Sequence, residues 1–176
     1  LPEDRNLVYD AGNFLGVVPY LSTPGPGHFK MTNEFASIGL GFGTALGFAK
    51  ARPDATTVLI IGDGAFVMTM SELETAARFG INTVTVVNNN RSFNQCKGGF
   101  ESAYLDQAGG DSGALWVFED VNFAEVARSM GCLGIRVEDP SEIGSALDQA
   151  IEANRPVVVD VASDMEAMAP TAYVPE

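Results

Sequence analysis

The chain has 176 residues, of which 46% are hydrophobic and 19% are charged, a composition typical of a globular domain and not of a disordered segment. Ten lysines and arginines stand against 23 aspartates and glutamates, and the net charge of −13 disfavours binding to the phosphate backbone of a nucleic acid. Because no apolar run is long enough to cross a bilayer, we expect one cytoplasmic domain, residues 1–176, with no membrane partner.

Short apolar runs rich in β-branched residues recur along the chain and predict β-strands. The runs are continuous rather than alternating, which suits strands buried on both faces of a parallel sheet. Helical periodicity appears between them, and Ser141, after Pro140, predicts a helix cap. The alternation predicts an α/β fold, a doubly wound parallel sheet with helices on both faces. The predicted strands are 7–9, 57–61, 83–87, 133–137 and 156–161, and the predicted helices are 70–79, 122–130 and 141–153.

Two stretches break this alternation. Residues 19–30 contain three prolines and predict a loop, and the polar residues 30–34 that follow are poor as a buried strand. Residues 88–120 separate a predicted strand from the next clear helix. A connection of that length is usually functional or contains a helix that periodicity does not reveal.

Gly39, Gly41 and Gly43 have the spacing of a dinucleotide-binding turn, and Asp63 lies twenty residues beyond Gly43. That turn needs a strand directly before its first glycine, which the polar residues 30–34 do not supply. We therefore expect the glycines to allow close packing of a helix and approach of a cofactor. A nucleotide-binding oxidoreductase is the competing hypothesis, and it predicts dinucleotide binding that does not depend on Mg²⁺.

Polar residues also occur where two of the predicted strands end. The strand over 57–61 runs into Gly62-Asp63-Gly64, where glycines on either side of an acid let the backbone turn sharply. The strand over 83–87 ends in three asparagines, 88–90. Ligands of open α/β sheets bind beyond the carboxyl ends of strands, and adjacent strands would bring these two tips together. Carboxylate, carboxamide, carbonyl and diphosphate oxygens together form the shell that Mg²⁺ prefers.

These motifs in combination resemble the signature of thiamine-diphosphate-dependent enzymes. Asp63 precedes Asn90, the end of an Asn-Asn pair, by 27 residues. The segment 66–80 resembles the helix of that family, and residues 36–39 resemble its segment that contacts the aminopyrimidine ring. The resemblance covers residues 10–161 and one domain of the family, the diphosphate-binding domain.

The resemblance implies which residues bind Mg²⁺ and thiamine diphosphate. The side chains of Asp63 and Asn90 and the backbone carbonyl of Ser92 would hold Mg²⁺, although many relatives have glycine at the position of Ser92. Ile38 would be the apolar wedge that keeps the cofactor bent, and the backbone around Ala36 and Ile38 would bind the aminopyrimidine. The other residues implied as neighbours of the cofactor are Asn13, Gly62, Gly64, Ala65 and Phe93, with the N–H groups of Gly64 and Ala65 offered to the diphosphate.

The resemblance also implies an activity that this chain cannot complete by itself. The family decarboxylates a small 2-oxo acid and then protonates the product or adds it to a second carbonyl, and the similarity is greatest to acetolactate synthase and benzoylformate decarboxylase. In that family, a glutamate of a separate pyrimidine-binding domain activates the cofactor, and neither this domain nor a middle domain fits into 176 residues. We therefore expect no catalytic residue in this chain, a pyrimidine-binding domain in cis or as a separate subunit, and a homo-oligomer (dimer or tetramer).

Several alternatives stay open. The chain is also interpretable as the small subunit of a split decarboxylase, such as a sulfopyruvate decarboxylase, or as a non-catalytic cofactor-binding or structural domain. Intact Asp63 and Asn90 argue against a degenerate site. His28, the only histidine, is either an acid–base group that faces substrate or a loop residue without a role. Cys96 either lines the substrate pocket or is a small buried filler.

Overall fold

The computed structural model describes residues 1–32, 34–104 and 112–167. The strands within these residues are β1 (Asn6–Asp10), β2 (Phe29–Thr32), β3 (Thr57–Gly62), β4 (Thr83–Asn89), β5 (Leu133–Val137) and β6 (Val157–Ala162). The helices are α1 (Gly41–Ala51), α2 (Asp63–Val67), α3 (Glu72–Phe79), α4 (Lys97–Tyr104), α5 (Phe123–Ser129) and α6 (Ile143–Glu152). The strands form one sheet in the order β2-β1-β3-β4-β6-β5, and every pairing is parallel.

The apolar runs form the four inner strands of this sheet and the edge strand β5, and they supply two separate cores. Neighbouring residues on a strand point to opposite faces, so the inner strands β1, β3, β4 and β6 contribute to both cores. One core joins Val8, Leu59 and Val158 to helices α1, α2, α3 and α5, and the other joins Leu7, Val58 and Val159 to α6. The predicted doubly wound parallel sheet with helices on both faces is confirmed.

The structure corrects the prediction of a loop over residues 19–30 and of no strand over 30–34. Phe29–Thr32 forms β2, which pairs with β1. Because β2 is an edge strand and three of its four residues are only half-buried, it does not need a continuous apolar run. Asn33 lies outside the described residues. Since β2 ends seven residues before Gly39, the structure still places no strand directly before that glycine.

The long connection over residues 88–120 contains a helix, α4. This agrees with one of the two expectations for the connection, a helix that periodicity does not reveal. Residues 105–111 of this connection lie outside the described part of the chain. Residues 112–118, here called the return segment, run back beside the end of β4. The N–H of Phe93 donates to the carbonyl of Trp116 at 2.8 Å, and the N–H of Phe118 donates to the carbonyl of Arg91 at 2.7 Å. The connection is thereby fixed beside the tip of β4.

The cap before α6 differs from the prediction. Asp139, and not Ser141, accepts the hydrogen bonds there: its carboxylate binds the N–H of Ser141 at 2.9 Å and the hydroxyl of Ser141 at 2.8 Å. A carboxylate two residues earlier in the chain therefore begins the turn. Among the described residues, no helix has the length and apolar character that crossing a membrane would require.

Candidate functional site

A cleft of about 380 Å³ lies at the carboxyl ends of β1, β3 and β4. β1 pairs with β2 on one side and with β3 on the other, so the strand order changes direction at β1, beside the cleft. Open α/β sheets bind ligands at such a change in strand order. Nine of the ten predicted site residues line it: Asn13, Ile38, Gly62, Asp63, Gly64, Ala65, Asn90, Ser92 and Phe93. The tenth, Ala36, belongs to the turn Glu34–Ala36, two residues before Ile38, and its side chain lies outside what the structure describes.

Asp63 begins α2 directly after β3 and is only 3% exposed. One carboxylate oxygen accepts the N–H of Gly64 at 2.8 Å, and the other accepts the N–H of Ser92 at 3.0 Å. Burial raises the pKa of Asp63 to about 6, although these N–H groups favour its charged form. No lysine, arginine or histidine within residues 1–32, 34–104 and 112–167 forms an ion pair with it. A cation bound beside this carboxylate would offset the cost of burying its charge.

Ser92 connects the tips of the two neighbouring strands. Its N–H binds Asp63 after β3, and its hydroxyl donates to Oδ1 of Asn90 after β4 at 2.9 Å. Asn90 is itself 3% exposed. The expected approach of the two polar tips is therefore present, with Gly62 and Asn88 opposite each other in the β3–β4 register.

The structure gives a reason for glycine at position 64 that differs from the sharp backbone turn expected from the sequence. Its backbone is not in the left-handed region, but a Cβ there would lie 2.5 Å from Cε1 of Phe93. Phe93 packs edge-on against Phe118, with ring centroids 4.5 Å apart. Gly64 therefore makes room for an aromatic ring across the turn, while its N–H binds Asp63.

A buried polar network behind the cleft was not found from the sequence. Asn89 donates from Nδ2 to Oδ1 of Asp160 and to the carbonyl of Val121, both at 2.9 Å. Arg136 on β5 donates to Oδ2 of Asp160 at 2.7 Å. These bonds fix the end of β4 next to Asn90. The one available signal was Asp160 itself, an acid inside the apolar run of β6.

The structure decides between the alternatives for two further residues. Nδ1 of His28 lies 3.2 Å from Oδ1 of Asn6 at the start of β1, the opposite end of the sheet from the cleft. His28 therefore lies away from the cleft and does not line it. Cys96 lines the cleft and is exposed, so it is not a buried filler. The cleft residues that were not predicted as cofactor contacts are Ala11, Gly12, Phe14, Leu15, Met31, Asn88, Asn94, Gln95 and Cys96.

The oxygen donors at the two strand tips suit a hard cation. Within the described residues, no three His, Cys, Asp or Glu side chains gather into a metal-binding group. The donors here are instead one carboxylate, on Asp63, and one carboxamide, on Asn90, both of which are oxygen ligands of the kind Mg²⁺ prefers. A set with a single charged ligand fits a Mg²⁺ ion that is also held by phosphate oxygens.

Comparison with known proteins gives a consistent result. The family model for the thiamine pyrophosphate enzyme, C-terminal TPP binding domain, matches residues 10–161. The chain is 32% identical over 140 residues to the acetolactate synthase large subunit of Haemophilus influenzae, covering 79% of this chain and 24% of that protein. It is 34% identical over 154 residues to the sulfoacetaldehyde acetyltransferase of Castellaniella defragrans, covering 87% of this chain and 25% of that protein.

A solved structure shares the fold. The thiamine diphosphate-dependent 4-hydroxybenzoylformate decarboxylase of Rhodococcus jostii RHA1 superimposes with a TM-score of 0.77 at 20% sequence identity, covering 93% of this chain and 30% of that chain. The chain spans about a quarter of the length of the curated relatives that it matches.

Proposed function

Because the chain belongs to the thiamine pyrophosphate enzymes and carries their C-terminal TPP binding domain, we propose that its cleft holds the diphosphate of thiamine diphosphate through Mg²⁺. The supporting observation is the pair of buried oxygen donors, Asp63 and Asn90, joined through Ser92. Among the described residues that line the cleft there is no lysine, arginine or histidine. A diphosphate bound there therefore needs a metal ion to balance its charge.

The chain's own residues would bind and orient the cofactor. The side chains of Asp63 and Asn90 and the carbonyl of Ser92 would hold Mg²⁺, and the N–H and hydroxyl of Ser92 keep the two side chains oriented. Ile38 would contact the cofactor's rings from the other wall of the cleft. The bound cofactor supplies the electron sink for cleavage next to a carbonyl, while the protein supplies binding and electrostatics.

For the whole protein, we propose decarboxylation or carboligation of a small 2-oxo acid, as in acetolactate synthase. Relatives named acetolactate synthase large subunit align with most of this chain. The cleft wall beyond the proposed metal site carries neutral amide side chains, Asn94 and Gln95. These side chains can hydrogen-bond a carbonyl or carboxylate without adding charge.

A patch of exposed apolar residues beside the cleft supports a partner domain. This apolar patch consists of Phe35, which is fully exposed, with Leu40, Val67 and Met68. Gly39, the neighbour of Leu40 in sequence, lies beside Met68, because a Cβ at Gly39 would be only 3.5 Å from Cβ of Met68. Exposed apolar patches mark interaction surfaces. We propose that a pyrimidine-binding domain, in cis or as a separate subunit, covers this patch and completes the site within a dimer or tetramer.

The metal–diphosphate site is tested by calorimetric titration of thiamine diphosphate into the chain with MgCl₂ and with EDTA. We expect binding that needs Mg²⁺ and that weakens at least about 10-fold in Asp63→Ala, since Asp63 is the only charged protein ligand. Asp148→Ala is the matched control, because it removes an exposed aspartate from α6 on the other face of the sheet.

Three outcomes would contradict this proposal. Binding of equal strength in EDTA, or equal loss in both variants, would exclude a metal-bridged diphosphate at Asp63. Titration with NAD in the same experiment tests the competing oxidoreductase hypothesis, which requires NAD binding without Mg²⁺. If thiamine diphosphate does not bind, the titration is repeated with the pyrimidine-binding domain added, and absence of binding there also rejects the proposal.

A further inference from the structure

Asp10 is a buried acid that the proposed site does not use. It is the last residue of β1, its side chain is fully buried, and it does not line the cleft among the described residues. No lysine, arginine or histidine in the described ranges forms an ion pair with it. A buried carboxylate without a counter-ion is costly unless hydrogen bonds satisfy it.

Three backbone N–H groups satisfy this carboxylate. Oδ1 accepts the N–H of Ala11 at 2.7 Å, and Oδ2 accepts the N–H groups of Gly41 at 2.8 Å and Gly39 at 3.1 Å. Burial raises the pKa of Asp10, and the three N–H groups act in the opposite direction. Gly39 and Gly41 are about thirty residues away in sequence, so the carboxylate joins the end of β1 to the start of α1.

Gly39 and Gly41 allow the backbone of this segment to approach the Asp10 carboxylate closely. Gly39 has φ +87°, a left-handed conformation that other residues rarely adopt. A Cβ at Gly41 would lie 2.8 Å from Oδ2 of Asp10 and 3.0 Å from Cδ1 of Leu59. Ile38 directly precedes this segment, lines the cleft and packs against the core. The path of the chain that brings Ile38 to the cleft therefore depends on two hydrogen bonds to one side chain.

We propose that Asp10 is a positioning residue that, by accepting the N–H groups of Gly39 and Gly41, holds Ile38 against the ring portion of thiamine diphosphate. This inference rests on the proposed function. A carboxylate suits the role because both of its oxygens accept and neither donates. Asparagine would turn an NH₂ group toward one of the N–H groups and leave it unsatisfied in the interior.

Comparing the binding of two ligands distinguishes a positioning role of Asp10 from a general loss of structure. Thiamine diphosphate and inorganic pyrophosphate, each with MgCl₂, are titrated into the wild-type chain, Asp10→Asn and Ile38→Ala. Both share the metal and diphosphate subsite, but only thiamine diphosphate has rings to meet Ile38. We expect Asp10→Asn to weaken thiamine diphosphate about 10-fold and to leave pyrophosphate unchanged, an effect of the size seen for residues that orient ligands.

The double variant shows whether Asp10 acts through Ile38. In the Ile38→Ala background, Asp10→Asn should cause no further loss of thiamine diphosphate affinity. Equal weakening of both ligands by Asp10→Asn, or weakening of neither, would overturn the inference. Should Asp10→Asn not fold, Gly41→Ala serves instead, since its Cβ would displace the same carboxylate.

A measurement without ligand keeps the inference distinct from the proposed function. If the wild-type chain binds neither ligand, even with the pyrimidine-binding domain added, the proposed function fails, and hydrogen exchange at the Gly39 and Gly41 amides still reports the contact. Asp10→Asn should speed exchange at these two amides about 10-fold while amides in the middle of β3 stay protected. Unchanged exchange at both glycines would reject the positioning role.

Discussion

Gly64 and Phe93 show how one residue without a side chain shapes the wall of the cleft. A Cβ at Gly64 would lie 2.5 Å from the Phe93 ring, which is held in turn by Phe118. We expect Gly64→Ala to lower the free energy of unfolding by about 1–3 kcal/mol, as overpacking does. Gly43→Ala is the control: it has nothing within 4 Å of its Cβ and lies within α1, so alanine there should stabilise by about 0.5–1 kcal/mol.

Urea unfolding of the two alanine variants measures this difference. If Gly64→Ala is as stable as Gly43→Ala, the Phe93 ring moves without cost and does not fill a fixed position. In that case, adding Phe93→Leu to Gly64→Ala should not change the free energy of unfolding. If the alanine Cβ does clash with the Phe93 ring, the smaller leucine side chain should restore stability.

At the scale of single elements, α5 depends on the residue before it. Oδ1 of Asn122 accepts the N–H of Glu125 at 3.0 Å and caps the helix. Asn122→Ala should reduce the free energy of unfolding by about 1 kcal/mol, and Asn122→Asp should not, because aspartate caps equally well. Thermal unfolding followed by circular dichroism measures both. Equal melting temperatures for the alanine and aspartate variants would show that the cap contributes nothing.

A second prediction concerns the strands joined by Arg136 and Asp160. Arg136→Met leaves Asp160 buried without its cation, which should cost about 3–5 kcal/mol. Arg78→Met removes an exposed pair with Glu74 and should change stability by less than about 1 kcal/mol. Chemical denaturation compares the two. A small effect of Arg136→Met would mean that Asn89 and backbone N–H groups suffice for Asp160.

Burial explains which elements could be predicted from the sequence. β1, β3, β4 and β6 were predicted because apolar residues dominate inner strands that are packed on both faces, and the edge strand β5 was predicted because Leu133, Ile135 and Val137 give it an apolar run. β2, at the other edge, was missed because its Phe29-Lys30-Met31-Thr32 sequence does not form an apolar run. Helix α4 was not located because it contains Gly98 and Gly99 and has no clear apolar face.

At the scale of the whole molecule, the cleft was predictable because parallel strands place all their carboxyl ends at one edge. Asp63 and Asn90 could be brought together from sequence for this reason alone. Two sets of polar contacts could not be predicted from the sequence: those of Asp10 with Gly39 and Gly41, and that of Asn89 with Asp160. They depend on which side chain of a buried strand points to which loop. Hydrophobic patterning carries no information on such polar pairings.

Binding of the cofactor should stabilise the whole domain. A ligand at 100 times its Kd adds about 2.7 kcal/mol to the free energy of unfolding, which for a domain of this size raises Tm by about 5–11 °C. We expect that shift with thiamine diphosphate and MgCl₂, measured by differential scanning fluorimetry. EDTA should abolish it, and thiamine without the diphosphate should give none. An equal shift with thiamine would place the binding energy in the rings and not at the metal.

The strand order also sets when the site can form during synthesis. Among the described residues, β6 is the last strand in chain order and lies between β4 and β5, and Val84 pairs with Val157, 73 residues later. Until residue 162 has left the ribosome, β4 has an open edge and the Asn89 side chain has no Asp160 to bind. Pairings this distant in sequence fold slowly. The tip of β4 beside Asn90 is therefore completed late, and a nascent chain that has not yet inserted β6 carries Asp63 and Asn90 without the complete cleft.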